Sequence, residues 1–185
     1  MKYVLLIISM FLFNCNEQKK GEFKTDTIAK SDVENEAVNT QLPEEPLNIA
    51  VHDYAGLKPL INKKDDELHV VNFWATWCAP CVKELPYFEQ LREEYADQNI
   101  DMLLVSLDFP KQYTTRLQPF LEKHNLKSEV VAFDDLDQNT WIPDINENWS
   151  GAIPATIIYK GNKRRFYEQS FTYEELKTEI DKFLN

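Results

Sequence analysis

Apolar positions are unevenly spread along the chain. Residues 4–13 form a near-continuous apolar run, residues 16–46 hold few large apolar side chains, and regular patterning begins at Leu47. Within the patterned part, residues 48–51 suit a short strand, and residues 54–62 carry Leu57, Leu60 and Ile61 at helical spacing. Residues 69–74 are a compact apolar run with two valines and two aromatics, which predicts a central strand buried on both faces. Val82, Leu85, Phe88 and Tyr95 mark a helix reaching about Ala96, which Pro86 should kink. Residues 100–107 read as a second buried strand, and residues 113–124 as a helix disturbed by Pro119. A short strand is expected at 129–133, then an acidic, irregular stretch at 134–148 with room for one helical turn. Residues 155–159 form a strand, Gly161-Asn162 a turn, and residues 165–168 the returning strand. Residues 173–184 close the chain as a helix capped by Thr172, with Leu176, Ile180 and Phe183 on one face. Strands alternating with helices, followed by a hairpin and a helix, indicate an α/β fold with a mixed sheet.

The unpatterned N-terminal part carries a different message. Lys2 followed by the apolar run has the shape of a secretory signal, and the run is shorter than the roughly 20 residues a membrane-spanning helix needs. Cys15 follows at once and resembles the lipid-attachment cysteine of a bacterial lipoprotein. Leu12 fits that pattern; Phe13 and Asn14 depart from it, since small residues are usual there. Residues 1–15 are therefore expected to be a signal ending at a lipidated cysteine. Residues 16–46, with eight acidic and four basic residues and Pro43 and Pro46, read as a flexible acidic linker. The folded domain is expected at 47–185. The implied location is the bacterial cell envelope, facing the periplasm or at the surface.

The chain has 185 residues, of which 43% are hydrophobic, enough for one ordinary domain with a packed core. A formal charge of -11 excludes nonspecific nucleic-acid binding. Three cysteines are too few for a disulfide scaffold. Two of them form Cys78-Ala79-Pro80-Cys81, where a buried strand gives way to a helix. Unpaired N–H groups and the positive dipole end of a helix stabilise an anion there, so a thiolate forms below the free cysteine value of about 8.5. Cys78 is expected to be the exposed nucleophile, with Cys81 one turn later as the shielded resolving thiol. Pro80 suits a first helical turn because it has no N–H to leave unpaired. A zinc site would need a second ligand pair, and none exists; His52, His69 and His124 do not cluster in sequence. No cofactor or metal is expected beyond the redox-active pair itself.

The stretch from Asn72 to Cys81, then Glu84-Leu85-Pro86, then Gly151 to Thr156 with Pro154, resembles the thioredoxin superfamily. More narrowly it is similar to the membrane-tethered TlpA/ResA-type thiol-disulfide oxidoreductases. The resemblance covers roughly residues 47–185. It implies a central mixed sheet flanked by helices on both faces, with an insertion at 108–153 before the strand that follows a cis proline. It implies that Pro154 is that cis proline, that the Ile153 backbone beside it pairs with an extended substrate, and that Trp77, Ala79 and Pro80 complete the docking surface. Read without the resemblance, Pro154 is equally an ordinary trans residue and Trp77 a packing residue. Glu84 shares a helical face with Cys81. It is either a partly buried proton acceptor for Cys81, as the resemblance implies, or a solvated glutamate of the first helical turns. Asn72 stands where ordinary thioredoxins carry a buried acid, which argues against a general cytosolic thioredoxin. The acidic run Asp134-Asp135-Leu136-Asp137 reads as a solvated face, and Trp141 and Trp149 as packing residues.

The expected activity is reduction of disulfides in exported proteins, including a role in cytochrome c maturation. A membrane thiol-disulfide electron donor would regenerate the pair, and a lipid anchor would hold the protein at the membrane. Two other readings stand beside it. A thioredoxin-fold binding or copper-delivery module would space its cysteines further apart and add a histidine. A thiol peroxidase would place its cysteine after a Thr-x-x motif, whereas Thr76 lies only two residues before Cys78.

Overall fold

A computed structural model describes residues 48–184. The expected signal, Cys15 and the whole expected linker at 16–46 lie outside the described residues. Six strands form one sheet in the order β1-β4-β3-β2-β5-β6. They are β1 Ala50–His52, β2 Leu68–Trp74, β3 Ile100–Ser106, β4 Glu129–Phe133, β5 Ala155–Lys160 and β6 Lys163–Tyr167. Strands β1 to β4 are mutually parallel; β5 runs antiparallel to β2, and β6 antiparallel to β5. The helices are α1 Tyr54–Leu60, α2 Ala79–Glu94, α3 Gln118–His124, α4 Gln138–Ile145 and α5 Tyr173–Leu184. Among the described residues no helix is long and apolar enough to cross a membrane.

Alternation along the strands sorts the core into two layers. Val71, Phe73, Leu103, Val105, Val131, Ile157 and Tyr159 face one side, where Leu57 and Ile61 from the α1 region and Trp141 and Ile145 from α4 cover them. Val70, Met102 and Ile158 face the other side, covered by Phe88 and Leu91 of α2 and by Leu176, Ile180 and Phe183 of α5. Trp74, Leu104 and Ala132, further along that same side, pack with Leu85, Tyr113 and Leu117. Every residue of β2 is buried, His69 and Asn72 included, as the compact apolar run at 69–74 predicts. Helices on both faces of a mixed sheet match the expected architecture.

The element boundaries follow local chemistry. Asp53 caps α1 by accepting the Gly56 N–H at 2.8 Å. Asn125, with φ of 49°, closes α3 in the left-handed conformation that asparagine tolerates. Thr172 and Glu175 cap α5 reciprocally: the Glu175 N–H donates to Thr172 Oγ1 at 3.3 Å, and the Thr172 N–H donates to Glu175 Oε2 at 2.8 Å.

Three local expectations need correction. The stretch 134–148 holds an eight-residue helix, α4, rather than one turn, because Trp141 and Ile145 reach the core from it. Residues 113–124 are not one helix. Tyr113–Leu117 winds as a π-turn and α3 starts at Gln118, with Pro119 in its first turn, where a missing N–H is tolerated. The acidic run is only partly a solvated face: Asp135 accepts the Tyr54 N–H at 3.0 Å and the Asp137 N–H at 2.8 Å. Trp141 and Trp149 are buried packing residues, as expected.

Candidate active site

The buried strand β2 ends at Trp74, and a tight turn closed by the Cys78 N–H on the Ala75 carbonyl at 3.1 Å delivers the chain to α2. Cys78 is the N-cap of that helix. Its Sγ accepts the Cys81 N–H at 3.3 Å, and its carbonyl accepts the Val82 N–H at 3.0 Å. Ala79 and Pro80 are the first two helical residues, so the ring of Pro80 sits where no N–H is needed. Cys78 and Cys81 are joined as a disulfide. Cys81 is fully buried and Cys78 is 6% exposed, so the nucleophile is more enclosed in the disulfide form than its expected exposed role suggests. Ile153 packs against this cluster and accounts for part of that enclosure.

The loop from Trp149 to Pro154 meets the pair from the other side. Ile153-Pro154 is a cis peptide, as the resemblance implied, and the Ile153 carbonyl oxygen lies 3.7 Å from Cys78 Sγ. Gly151 has φ of 89°, which a side chain would oppose, and an added Cβ would stand 3.0 Å from Ile142. Glu168, just past β6, grips the loop by accepting the Ser150 N–H at 3.2 Å, the Ala152 N–H at 3.1 Å and the Ser150 hydroxyl. The Ser150 hydroxyl is the main reason its carboxyl is held below its ordinary value.

Glu84 is fully buried, which excludes the solvated alternative. Its Oε1 accepts the Asn72 amide at 3.0 Å; its Oε2 accepts the Ser170 hydroxyl at 3.0 Å and the Phe171 N–H at 2.7 Å. Burial pushes the carboxyl up, and these donors pull it down. Asn72 also donates to Thr156 Oγ1 at 3.1 Å, while its own Oδ1 is buried without a partner. The Glu84 oxygens thus face β2 and the segment before α5.

Trp77 is 44% exposed and stacks on Phe109, itself 61% exposed, with ring centroids 6.1 Å apart. Asp108, the chain neighbour of Phe109, is buried. Its Oδ2 accepts the Thr76 N–H and the Ser106 hydroxyl, both at 2.9 Å, and its Oδ1 accepts the Thr76 hydroxyl at 2.5 Å. Sequence reasoning missed Asp108, Phe109, Ser170 and Phe171. A polar residue at the end of a parallel strand was the only signal pointing to the first of them. Among the described residues no group of three or more His, Cys, Asp or Glu is placed to hold a metal ion.

The AhpC/TSA family model matches residues 33–163. Thiol-disulfide oxidoreductase ResA of Geobacillus thermodenitrificans is 29% identical over 113 residues, 60% of this chain and 60% of that protein. The protein of the same description from Oceanobacillus iheyensis is 32% identical over 93 residues, 50% of this chain and 44% of that protein. The chain thus spans only about half of these relatives' length. The one from Bacillus thuringiensis subsp. konkukian is 29% identical over 144 residues, 78% of this chain and 77% of that protein. The thiol:disulfide interchange protein of Chlorobium tepidum superposes with a TM-score of 0.54 at 18% identity, over 65% of this chain and 81% of that one. A thioredoxin-related protein of Neisseria meningitidis serogroup B gives 0.55 at 20% identity, over 65% and 87%. These structures establish the thioredoxin-like fold.

Proposed function

The chain belongs to the AhpC/TSA family, and from that premise we propose that it is a thiol-disulfide oxidoreductase of the ResA kind, reducing disulfides of exported proteins. The observation that carries the reading is the position of Cys78. Its sulfur sits at the start of a 16-residue helix, 3.3 Å from an N–H and 3.7 Å from the Ile153 carbonyl. The helix N-terminus favours the thiolate. The nearby carbonyl offers an acceptor to the N–H of an extended partner segment.

In the reduced protein the Cys78 thiolate attacks one sulfur of a partner disulfide. That S–S bond breaks, a bond from Cys78 to the partner forms, and the other partner sulfur leaves as a thiolate and takes up a proton. Cys81 then loses its proton and attacks Cys78 Sγ. The mixed bond breaks, the second partner thiol is released, and the Cys78–Cys81 disulfide forms. Two electrons have passed to the partner. A dithiol donor at the membrane restores the pair by the reverse exchange. Glu84, one helical turn beyond Cys81 and pushed up by burial, is the group we assign to receive the Cys81 proton. Trp77, Ala79, Pro80, Ile153 and Pro154 form the docking surface. Cys15, lipidated, anchors the protein through a linker over residues 16–46.

Trapping tests the assignment. Cys81→Ser in cells should retain a partner in a mixed disulfide through Cys78 that dithiothreitol releases. Retention by Cys78→Ser but not by Cys81→Ser would reverse the two roles. No trapped partner from either variant, together with no disulfide exchange by the parent protein, would end the reading.

A further inference from the structure

We propose that the stacked pair Trp77–Phe109 is a specificity platform for an apolar side chain near the partner's cysteine, and that Asp108 is the residue that positions it. The proposal rests on the oxidoreductase reading and adds the kind of partner the site selects.

Among the described residues only four large hydrophobics are exposed: Val51, Trp77, Phe109 and Leu136. Two of the four stack on each other, nearly parallel at 18°, and one of those two is the chain neighbour of Cys78. Exposed aromatic pairs of this kind mark contact surfaces, because water gains nothing from them and a partner does.

The two loops that carry the pair are tied to each other. β2 and β3 are adjacent parallel strands, so the loops leaving their C-terminal ends lie side by side. The Leu107 N–H donates to the Trp74 carbonyl at 2.7 Å across them. Asp108 then fastens the two loops, accepting from the backbone and hydroxyl of Thr76 and from Ser106, while its own N–H donates to Ser106 Oγ at 3.1 Å. Each aromatic is the next residue along from one side of this tie, Trp77 after Thr76 and Phe109 after Asp108. A buried carboxylate bonded by three donors fixes geometry more strictly than apolar packing does. Its bonds to the chain neighbour of Trp77, and its own place next to Phe109, make it a positioning device for the two rings.

The geometry also says what the platform takes. A partner strand that presents its cysteine to Cys78 turns the residues two positions away toward the same surface, about 7 Å along the chain. Trp77 is the chain neighbour of Cys78 and Phe109 stacks on it, so a side chain at that remove from the partner's cysteine is within reach of the two rings. The partner is thus an extended polypeptide segment with a leucine-like side chain two residues from its disulfide cysteine.

The test uses the reduced full-length protein and symmetric disulfides of short peptides. These differ only in carrying Leu two positions before the cysteine, Leu two positions after it, or Ser at both. One Leu peptide should be reduced about 10-fold faster than the Ser peptide. In Phe109→Ala that ratio should fall below about 3. Asp108→Asn, which keeps the size but weakens the tie, should lower the ratio in the same way; general destabilisation would instead lower both rates together. Leu136→Ser, which alters an exposed leucine elsewhere, should keep the parent ratio. A parent ratio near one, or a ratio that survives Phe109→Ala, overturns the platform. Survival of the ratio in Asp108→Asn overturns the positioning role. If no peptide disulfide and no oxidised glutathione is reduced at all, it is the oxidoreductase reading that fails.

Discussion

Glu84 is a buried acid paired with the uncharged amide of Asn72. Burial raises the Glu84 carboxyl, so its protonated form is favoured in the folded protein relative to the unfolded chain. Its contribution is therefore largest at low pH and is lost as pH rises from the ordinary carboxylate range through the raised folded value. Asn72→Asp would put a second carboxylate within hydrogen-bond distance, in place of an amide that now donates at 3.0 Å. Two such acids cannot both ionise in a dry interior. We expect a loss of about 3 kcal/mol at neutral pH, growing as pH rises above the ordinary carboxylate range and shrinking in acid. Urea unfolding at several pH values measures this, and a slope equal to the parent's would refute it. The shared face of Glu84 and Cys81 was legible from a spacing of three residues. The donors Ser170 and Phe171 were not, since they stand 86 and 87 positions downstream and no local pattern links them. Asp108 and Phe109 were read as the start of an insertion for the same reason. Periodicity says which face a residue takes within an element, and nothing about which loops converge.

At the scale of elements the legible parts were those with strong local signals. β2, β4 and α5 stand within a residue of where their apolar spacing puts them. α5 is also the element with the clearest cap. Thr172→Ala removes the hydroxyl that the Glu175 N–H uses, at a cost of about 1 kcal/mol and a fall in melting temperature of about 3–5 °C. A thermal melt checks this, and an unchanged midpoint would mean the cap adds nothing. The prolines had different effects, and the helix expected to reach about Ala96 past Pro86 does continue past it. α2 runs through Pro86 without ending, because Leu85 and Phe88 on either side are buried and hold the helix to the sheet. Pro119 instead coincides with a change from π to α winding. The same residue type therefore gives different outcomes according to what its neighbours bury. α4 was underestimated because Pro143 and several polar residues mask the two side chains that anchor it.

Over the whole domain the sheet has two edges, the three-residue β1 and the hairpin strand β6. β6 is the longer of the two and carries Lys163, Arg164 and Arg165 in succession. In a chain of net charge -11 this local cationic run is conspicuous, and positive charge along an open edge discourages edge-to-edge pairing. Arg164 donates to the Ile61 carbonyl at 3.1 Å and Lys163 to the Lys182 carbonyl, and changing Lys163 and Arg165 leaves the first of these bonds in place. The double variant Lys163→Val/Arg165→Val should associate at about 100 µM, where the parent stays monodisperse, as sedimentation velocity would register. Equal sedimentation of both would remove the edge argument.

The hydrogen bonds from Ser170 and Phe171 to Glu84 set a limit on how small a working fragment can be. The family match stops at residue 163, inside β6, yet two of the three donors that quiet the acid behind the cysteine pair come from further on. A gene trimmed to the matched region would keep both sulfurs and lose the segment that governs the proton beside them. The minimal expression unit for redox work therefore extends through α5.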